Sequence, residues 1–145
     1  MIMKTYPQNV IERVEDLTAP LAIRTEVFVE EQGVSLAEEI DGQDGACVHW
    51  LARDDRGPVA TLRVAPMGTT AKIQRVAVLR RARGTGRGAA LMRHVMAALA
   101  AEGFVRAKLG AQVDAIGFYE RLGFVAQGPV YDDAGIPHRD MTRDL

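Results

Sequence analysis

The stretch Arg80-Arg81-Ala82-Arg83-Gly84-Thr85-Gly86-Arg87-Gly88 has the composition of an anion site. It follows a strand-like run, Ile73 to Val78, and precedes Ala89 to Met96, which reads as a helix. The first amides of a helix have no intrahelical acceptor, and the helix dipole adds positive potential there. Glycines free the backbone to approach a ligand, and arginines add charge around the rim. Such a loop suits a phosphate or pyrophosphate. Gly84-x-Gly86-x-x-Ala89 also fits the loose dinucleotide fingerprint, with Glu102 near the place of the ribose-binding acid. A dinucleotide strand runs almost directly into its first glycine, whereas here an arginine-rich loop intervenes. A P-loop is excluded because no Gly-Lys-Ser/Thr follows. Taken one at a time, Arg81, Arg83 and Arg87 are ordinary solvated charges.

The second half of the chain separates these readings. Arg81-x-x-Gly84-x-Gly86 resembles the acyl-CoA-binding loop of the GCN5-related N-acetyltransferases (GNAT). Some thirty residues on, Phe118-Tyr119-Glu120-Arg121-Leu122-Gly123-Phe124 resembles that family's second hallmark. The front half, Arg24-x-x-Val27-Phe28-Val29-x-Glu31-Gln32, is similar to the ElaA-like subfamily. A second resemblance is to the acyl-homoserine lactone synthases, through the order of Arg24, Phe28, Asp41, Asp44 and Arg63. The chain is shorter than those enzymes and keeps the Tyr119 motif, so lactone synthesis ranks second. A non-catalytic acyl-CoA sensor is a third reading.

The family resemblance implies acetyl-CoA as cosubstrate and specific roles for residues. The loop Arg81, Arg83, Gly84, Thr85, Gly86, Arg87 and Gly88 would hold the pyrophosphate, mostly through backbone amides. Val76, Ala77 and Val78 stand where the family aims a backbone N–H at the thioester oxygen, usually at a bulge. Phe118 and Gln112 would flank the pantetheine arm. Gln112 departs from the asparagine many relatives carry near this place, and Asp114 is a candidate helix cap. Tyr119 matches the general acid that protonates the leaving thiolate.

The acceptor amine must also lose a proton. A lysine-like amine has a pKa of about 10.4, so deprotonation at neutral pH costs roughly 4–5 kcal/mol. Glu30, Glu31, Glu39, Asp41, Asp44 and His49 are the candidate bases, and Glu39 with Asp41 is the pair selected. A solvated acidic loop is the competing reading for both. His138 in Gly135-Ile136-Pro137-His138 is a further option.

These residues need a scaffold. With 145 residues, 48% of them hydrophobic, the chain has the length and composition of one globular domain, 1–145. Its 18 basic and 19 acidic residues give a net charge of −1, which offers no case for nucleic-acid binding. The charge is segregated: 26–44 is acidic and 75–93 basic. The acidic stretch suggests a cationic acceptor, a small molecule or a protein amine. Cys47, the only cysteine, reads as a small core residue, and no metal cluster is expected. No apolar run spans a membrane and no signal peptide is visible, so the cytoplasm is the expected compartment. A homodimer stays open.

Periodicity predicts a short strand at 11–14 and a helix capped by Thr18 and broken by Gly33. Strands at 47–52 and 59–64 form a hairpin around Asp54-Asp55-Arg56-Gly57, and 71–78 is the next strand. A helix follows the loop and stops at Gly103. Then come a strand at 104–109, the Tyr119 helix ended by Gly123, and late strands at 124–126 and 138–142. This order implies an α+β fold with a mixed, mostly antiparallel central sheet. The family resemblance adds helices on both faces.

Overall fold

The computed structural model describes residues 10–145. A seven-stranded sheet organises the chain, in the order β1-β2-β3-β4-β5-β7-β6. Its strands are β1 (Val10–Val14), β2 (Val48–Asp54), β3 (Gly57–Met67), β4 (Thr70–Val78), β5 (Arg106–Gln112), β6 (Val125–Asp133) and β7 (Ile136–Asp144). Every pairing is antiparallel except β4 with β5. The expected α+β class and mostly antiparallel sheet hold.

Helices cover both faces. On one side lie α3 (Arg87–Ala101) and α4 (Ile116–Arg121). Leu91, Val95 and Leu99 of α3 bury a stripe against Leu62, Ile73 and Leu109. The four-residue spacing gives that stripe its single face. On the other side α1 (Thr18–Arg24) presses Ile23, with Val27 just beyond it, onto Leu51 and Ala77. Thr18 lies inside α1 rather than capping it: Leu17 stands at the cap, and Asp16 accepts the Thr18 N–H at 2.9 Å.

Past Arg24 the helix widens instead of ending. Thr25–Glu31 runs on as a π-helical segment, closed by the Gln32 N–H on the Val27 carbonyl at 3.2 Å. Gly33, at φ 72°, then stops it, as expected. A short helix not foreseen, α2 (Leu36–Glu39), follows. Ser35 accepts the Glu38 N–H at 3.2 Å and the Glu38 carboxylate receives the Ser35 hydroxyl. The Ser-x-x-Glu spacing was its signal.

The late hairpin is longer than expected. Gly128-Pro129 reads as a strand break, yet β6 absorbs it as an irregularity between Gln127 and Tyr131 and continues to Asp133. Asp114 does not cap α4, whose cap position is Ala115 with no side-chain bond.

The feature that shapes the site is a parting of the sheet. The β4–β5 ladder holds only for Thr70–Arg106, Ala71–Ala107 and Lys72–Lys108. Beyond these pairs the strands have no mutual register, and a seam opens toward their C-terminal ends.

Candidate active site

On β4 the seam is edged by a bulge. Thr61 stands opposite Ala77 and Arg63 opposite Gln74, so β4 carries one residue more than β3 across that interval. Arg75 takes up the excess at φ 55°, a costly conformation for a side chain other than glycine. Its guanidinium holds it there through the Glu38 carbonyl at 3.3 Å, the Glu39 carbonyl at 3.2 Å and Asp41 Oδ2 at 3.4 Å. Neither Arg75 nor Val76 stands opposite a β3 residue in the ladder, among the described residues.

At the end of β4 the chain turns through Arg80–Ala82 and two left-handed glycines, Gly84 at φ 75° and Gly86 at φ 82°. Gly86 is the N-cap of α3. A Cβ at either glycine would meet no atom within 4 Å, so the backbone angle, not crowding, is what each supplies. Gly88 is different. A Cβ there would lie 3.1 Å from Val78 and 3.5 Å from Phe118, so its smallness lets α3 sit against β4 and α4. Among the described residues, the amides of Gly84, Thr85, Gly86, Arg87, Gly88 and Ala89 have no backbone acceptor. The Thr85 hydroxyl is bonded back to the Ala82 carbonyl.

The loop arginines are less free than the sequence suggests. Arg83 makes a two-point contact with Glu31, at 2.9 and 3.1 Å, and its Nε donates to the Val78 carbonyl at 3.0 Å. The guanidinium of Arg83 holds the Glu31 carboxyl below its ordinary pKa. Arg81 pairs with Asp54 at 2.9 Å, and Arg87 approaches the same carboxylate at 3.8 Å. The acidic and basic stretches of the sequence therefore meet at Glu31, and Asp54, from outside the acidic stretch, takes Arg81 and Arg87. Glu31 and Asp54 give no local signal of this, because they lie far from the loop in sequence.

The same holds for the acidic segment 39–44. Arg24 and Arg63 are each 1% exposed and lie beneath it. Arg24 donates to Glu39 Oε1 at 2.6 Å and to Asp44 Oδ1 at 2.7 Å. Arg63 donates to Asp44 at 2.8 Å, to Asp41 Oδ2 at 2.7 Å and to Gln74 at 3.0 Å. Hydrogen bonds from Arg63 hold the Asp41 carboxyl far below the usual range. Burial pushes Asp44 up, but bonds from Arg24 and Arg63 outweigh it and the net shift is downward. His49 is 4% exposed, with Nε2 on the Asp44 carbonyl at 2.9 Å. Arg24, Asp41, Asp44 and Arg63 thus form one network, with both arginines buried and Asp41 at its exposed rim. Cys47, at the entrance to β2, is half-buried rather than core, and burial pushes its thiol up.

On the α4 side, Tyr119 is 8% exposed, edge-on to Phe118 at 5.0 Å and to Phe124 at 6.0 Å. Its hydroxyl has no hydrogen-bond partner among the described residues, and burial pushes its pKa above the ordinary tyrosine value. Gln112, at the end of β5, donates from its side-chain amide to Gln32 Oε1 at 2.8 Å, and Gln32 Nε2 donates back at 3.4 Å. The π-helical widening brings Gln32 there, and no local pattern announced it.

The site therefore combines an unpaired amide cluster, a bulged strand edge, an open seam and a buried tyrosine. Comparison with known proteins identifies the family and the fold. The acetyltransferase (GNAT) domain family matches residues 6–145. The uncharacterised N-acetyltransferase YjcF of Bacillus subtilis is 36% identical over 134 residues, covering 90% of this chain and 94% of its own. The crystal structure of Escherichia coli ElaA superimposes with a TM-score of 0.82 at 30% identity, covering 94% of this chain and 99% of that one. An acyl-CoA N-acyltransferase from Pseudomonas aeruginosa gives a TM-score of 0.77 at 34% identity, covering 94% and 98%. With the family matched over nearly its whole length and the fold shared end to end, the chain belongs to the GNAT acetyltransferase family.

Proposed function

We propose that the protein transfers an acetyl group from acetyl-CoA to a primary amine, by direct attack while both substrates are bound. The observation that carries this reading is the set of unpaired amides at residues 84–89, placed at the mouth of the β4–β5 seam. Amides held in that way bind pyrophosphate oxygens without reorganising. Gly84, Thr85, Gly86, Arg87 and Gly88 hold the donor in this reading. Arg81 and Arg83 shape the loop through Asp54 and Glu31 rather than standing free. Phe118 and Gln112 border the seam where the pantetheine arm would lie.

Val76, beside the bulge, is the amide assigned to the thioester oxygen, with Ala77 and Val78 continuing that edge. Tyr119 serves the leaving sulfur. A hydroxyl with a raised pKa stays protonated at neutral pH and can donate to a thiolate of pKa about 8.5. Glu39 and Asp41 fit a positioning role better than a base role. Asp41, which Arg63 holds below its ordinary pKa, is a weak base, the Glu39 carboxylate is committed to Arg24, and both residues brace Arg75 at the bulge. The acidic segment is also spent on internal arginines, which removes most of its argument for a cationic acceptor.

The test combines binding with turnover. Acetyl-CoA at a hundred times its dissociation constant should stabilise the fold by about 2.7 kcal/mol. For a domain of this size that is a rise in Tm of roughly 5–10 °C. Thiol release should then depend on one class within a panel of amines. A Tm indifferent to acetyl-CoA would overturn the donor. A clear rise without thiol release across the panel would favour the sensor.

A further inference from the structure

The face of the seam opposite Tyr119 carries a group that the mechanism above does not use. His138 stands on β7 across from Gln112 of β5 and Tyr131 of β6. Its Nδ1 lies 2.7 Å from the Ile136 carbonyl oxygen. A carbonyl only accepts, so Nδ1 carries a proton, and the neutral ring keeps its lone pair on Nε2. Among the described residues, no hydrogen bond engages Nε2.

The ring is also held in place. It stacks on Tyr131, with ring centroids 6.0 Å apart and planes 24° apart. The Tyr131 hydroxyl donates to Asp140 Oδ1 at 2.8 Å. That hydroxyl occupies the space a Cβ on residue 110 would need, which gives Gly110 its role. Gly110 follows Lys108 on the same face of β5, just where β4 and β5 part. Gln112, opposite His138, is tied to Gln32 of the π-helical segment. The imidazole is therefore braced on β7, beside the β5 edge of the seam and on the face of the sheet away from the α3 core, while Tyr119 packs within that core.

Tyr131 itself is a strut. Burial and its bond to Asp140 push its pKa up to about 12, and its proton is committed to that carboxylate. The charged and titratable groups around the imidazole are Tyr131 and Asp133 of β6, Asp140 of β7, and Lys108 of β5 at 4.0 Å from Asp140.

We propose that His138 is the general base of the reaction, acting through Nε2 on the attacking amine. As the nitrogen bonds to the acyl carbon and the carbon–sulfur bond breaks, Nε2 takes one proton from nitrogen. Tyr119 gives one proton to sulfur on the other face. Return of one proton from His138 to Tyr119 through solvent restores both groups, so one proton passes from nitrogen to sulfur per turnover. This assignment rests on the amine-acetylation reading.

The experiment uses the full chain, the amine selected by the panel, and pH–rate profiles for wild type, H138Q and H138N. H138Q should keep the acetyl-CoA-induced rise in Tm and lose about a hundredfold in kcat. Its acidic limb should vanish, and the residual rate should climb with the fraction of free amine. Wild-type kcat in H138Q, or a hundredfold loss with the acidic limb intact, would overturn the base. Wild-type kcat in H138N would do the same should H138Q fail to fold. A wild-type protein that binds acetyl-CoA yet acetylates no amine would instead sink the reading beneath it.

Discussion

The proposed donor side and the proposed acceptor side of this molecule are built in opposite ways. The donor side is contiguous: bulge, turn, left-handed glycines and helix N-terminus follow one another from Arg75 to Ala89. The acceptor side is dispersed. It draws Arg24 and Gln32 from the first helix, Glu39 to Asp44 from a loop, Arg63 from β3, and Tyr131, His138 and Asp140 from the last hairpin. The difference has a physical basis. Backbone amides bind an invariant pyrophosphate, and one loop conformation suffices for that. An acceptor pocket needs side chains converging from several directions, and only tertiary packing can bring them together.

The two sides should respond to different damage. The largest effect is expected within the buried network. Arg24→Met leaves the carboxylate of Glu39, 2% exposed, with only Arg75 at 3.5 Å as a cation. Removing one member of a buried ion pair costs about 3–5 kcal/mol. Chemical denaturation should show that loss, and adding Glu39→Gln should recover part of it. The acetyl-CoA-induced rise in Tm should persist in both variants. Its disappearance would mean that the two sides are not separable.

Tyr119→Phe sharpens the comparison from the donor side. It should lower kcat by about a hundredfold, with the KM for acetyl-CoA nearly unchanged. Unchanged kcat on a verified acceptor would remove Tyr119 from the chemistry.

The smallest expected effect is a pH dependence of stability. Asp41 and Asp44 have folded-state pKa values below their unfolded ones. Their contribution is complete above the ordinary carboxylate pKa of about 3.9 and falls as pH drops toward the folded values. Urea titrations from pH 6 down to pH 3 should show that decline. Arg63→Met should flatten it, because Arg63 bonds to both carboxylates.

Legibility in the sequence followed the same divide. Apolar spacing announced α3, glycine and arginine content announced the loop, and the Phe-Tyr motif announced the helix behind it. The late strands were expected only at 124–126 and 138–142, whereas long pairing with β7 lets β6 run through the irregularity between Gln127 and Tyr131 to Asp133. The π-helical widening and the parting of β4 from β5 have no local signature. Each is decided by what the neighbouring layer packs against.

Charge shows the limit most clearly. An acidic run and a basic run in the sequence suggest two exposed patches, one for a cationic acceptor and one for an anion. In the fold Glu31 pairs with Arg83, Asp54 with Arg81, and Glu39 with Arg24. Local composition determined that there would be a helix entry with unpaired amides, because those amides and the left-handed turns belong to neighbouring residues. Tertiary structure alone decided which charges remained free to act. Ionic partners are chosen by proximity in space, and burial of Arg24 and Arg63 forced their carboxylates to stay with them.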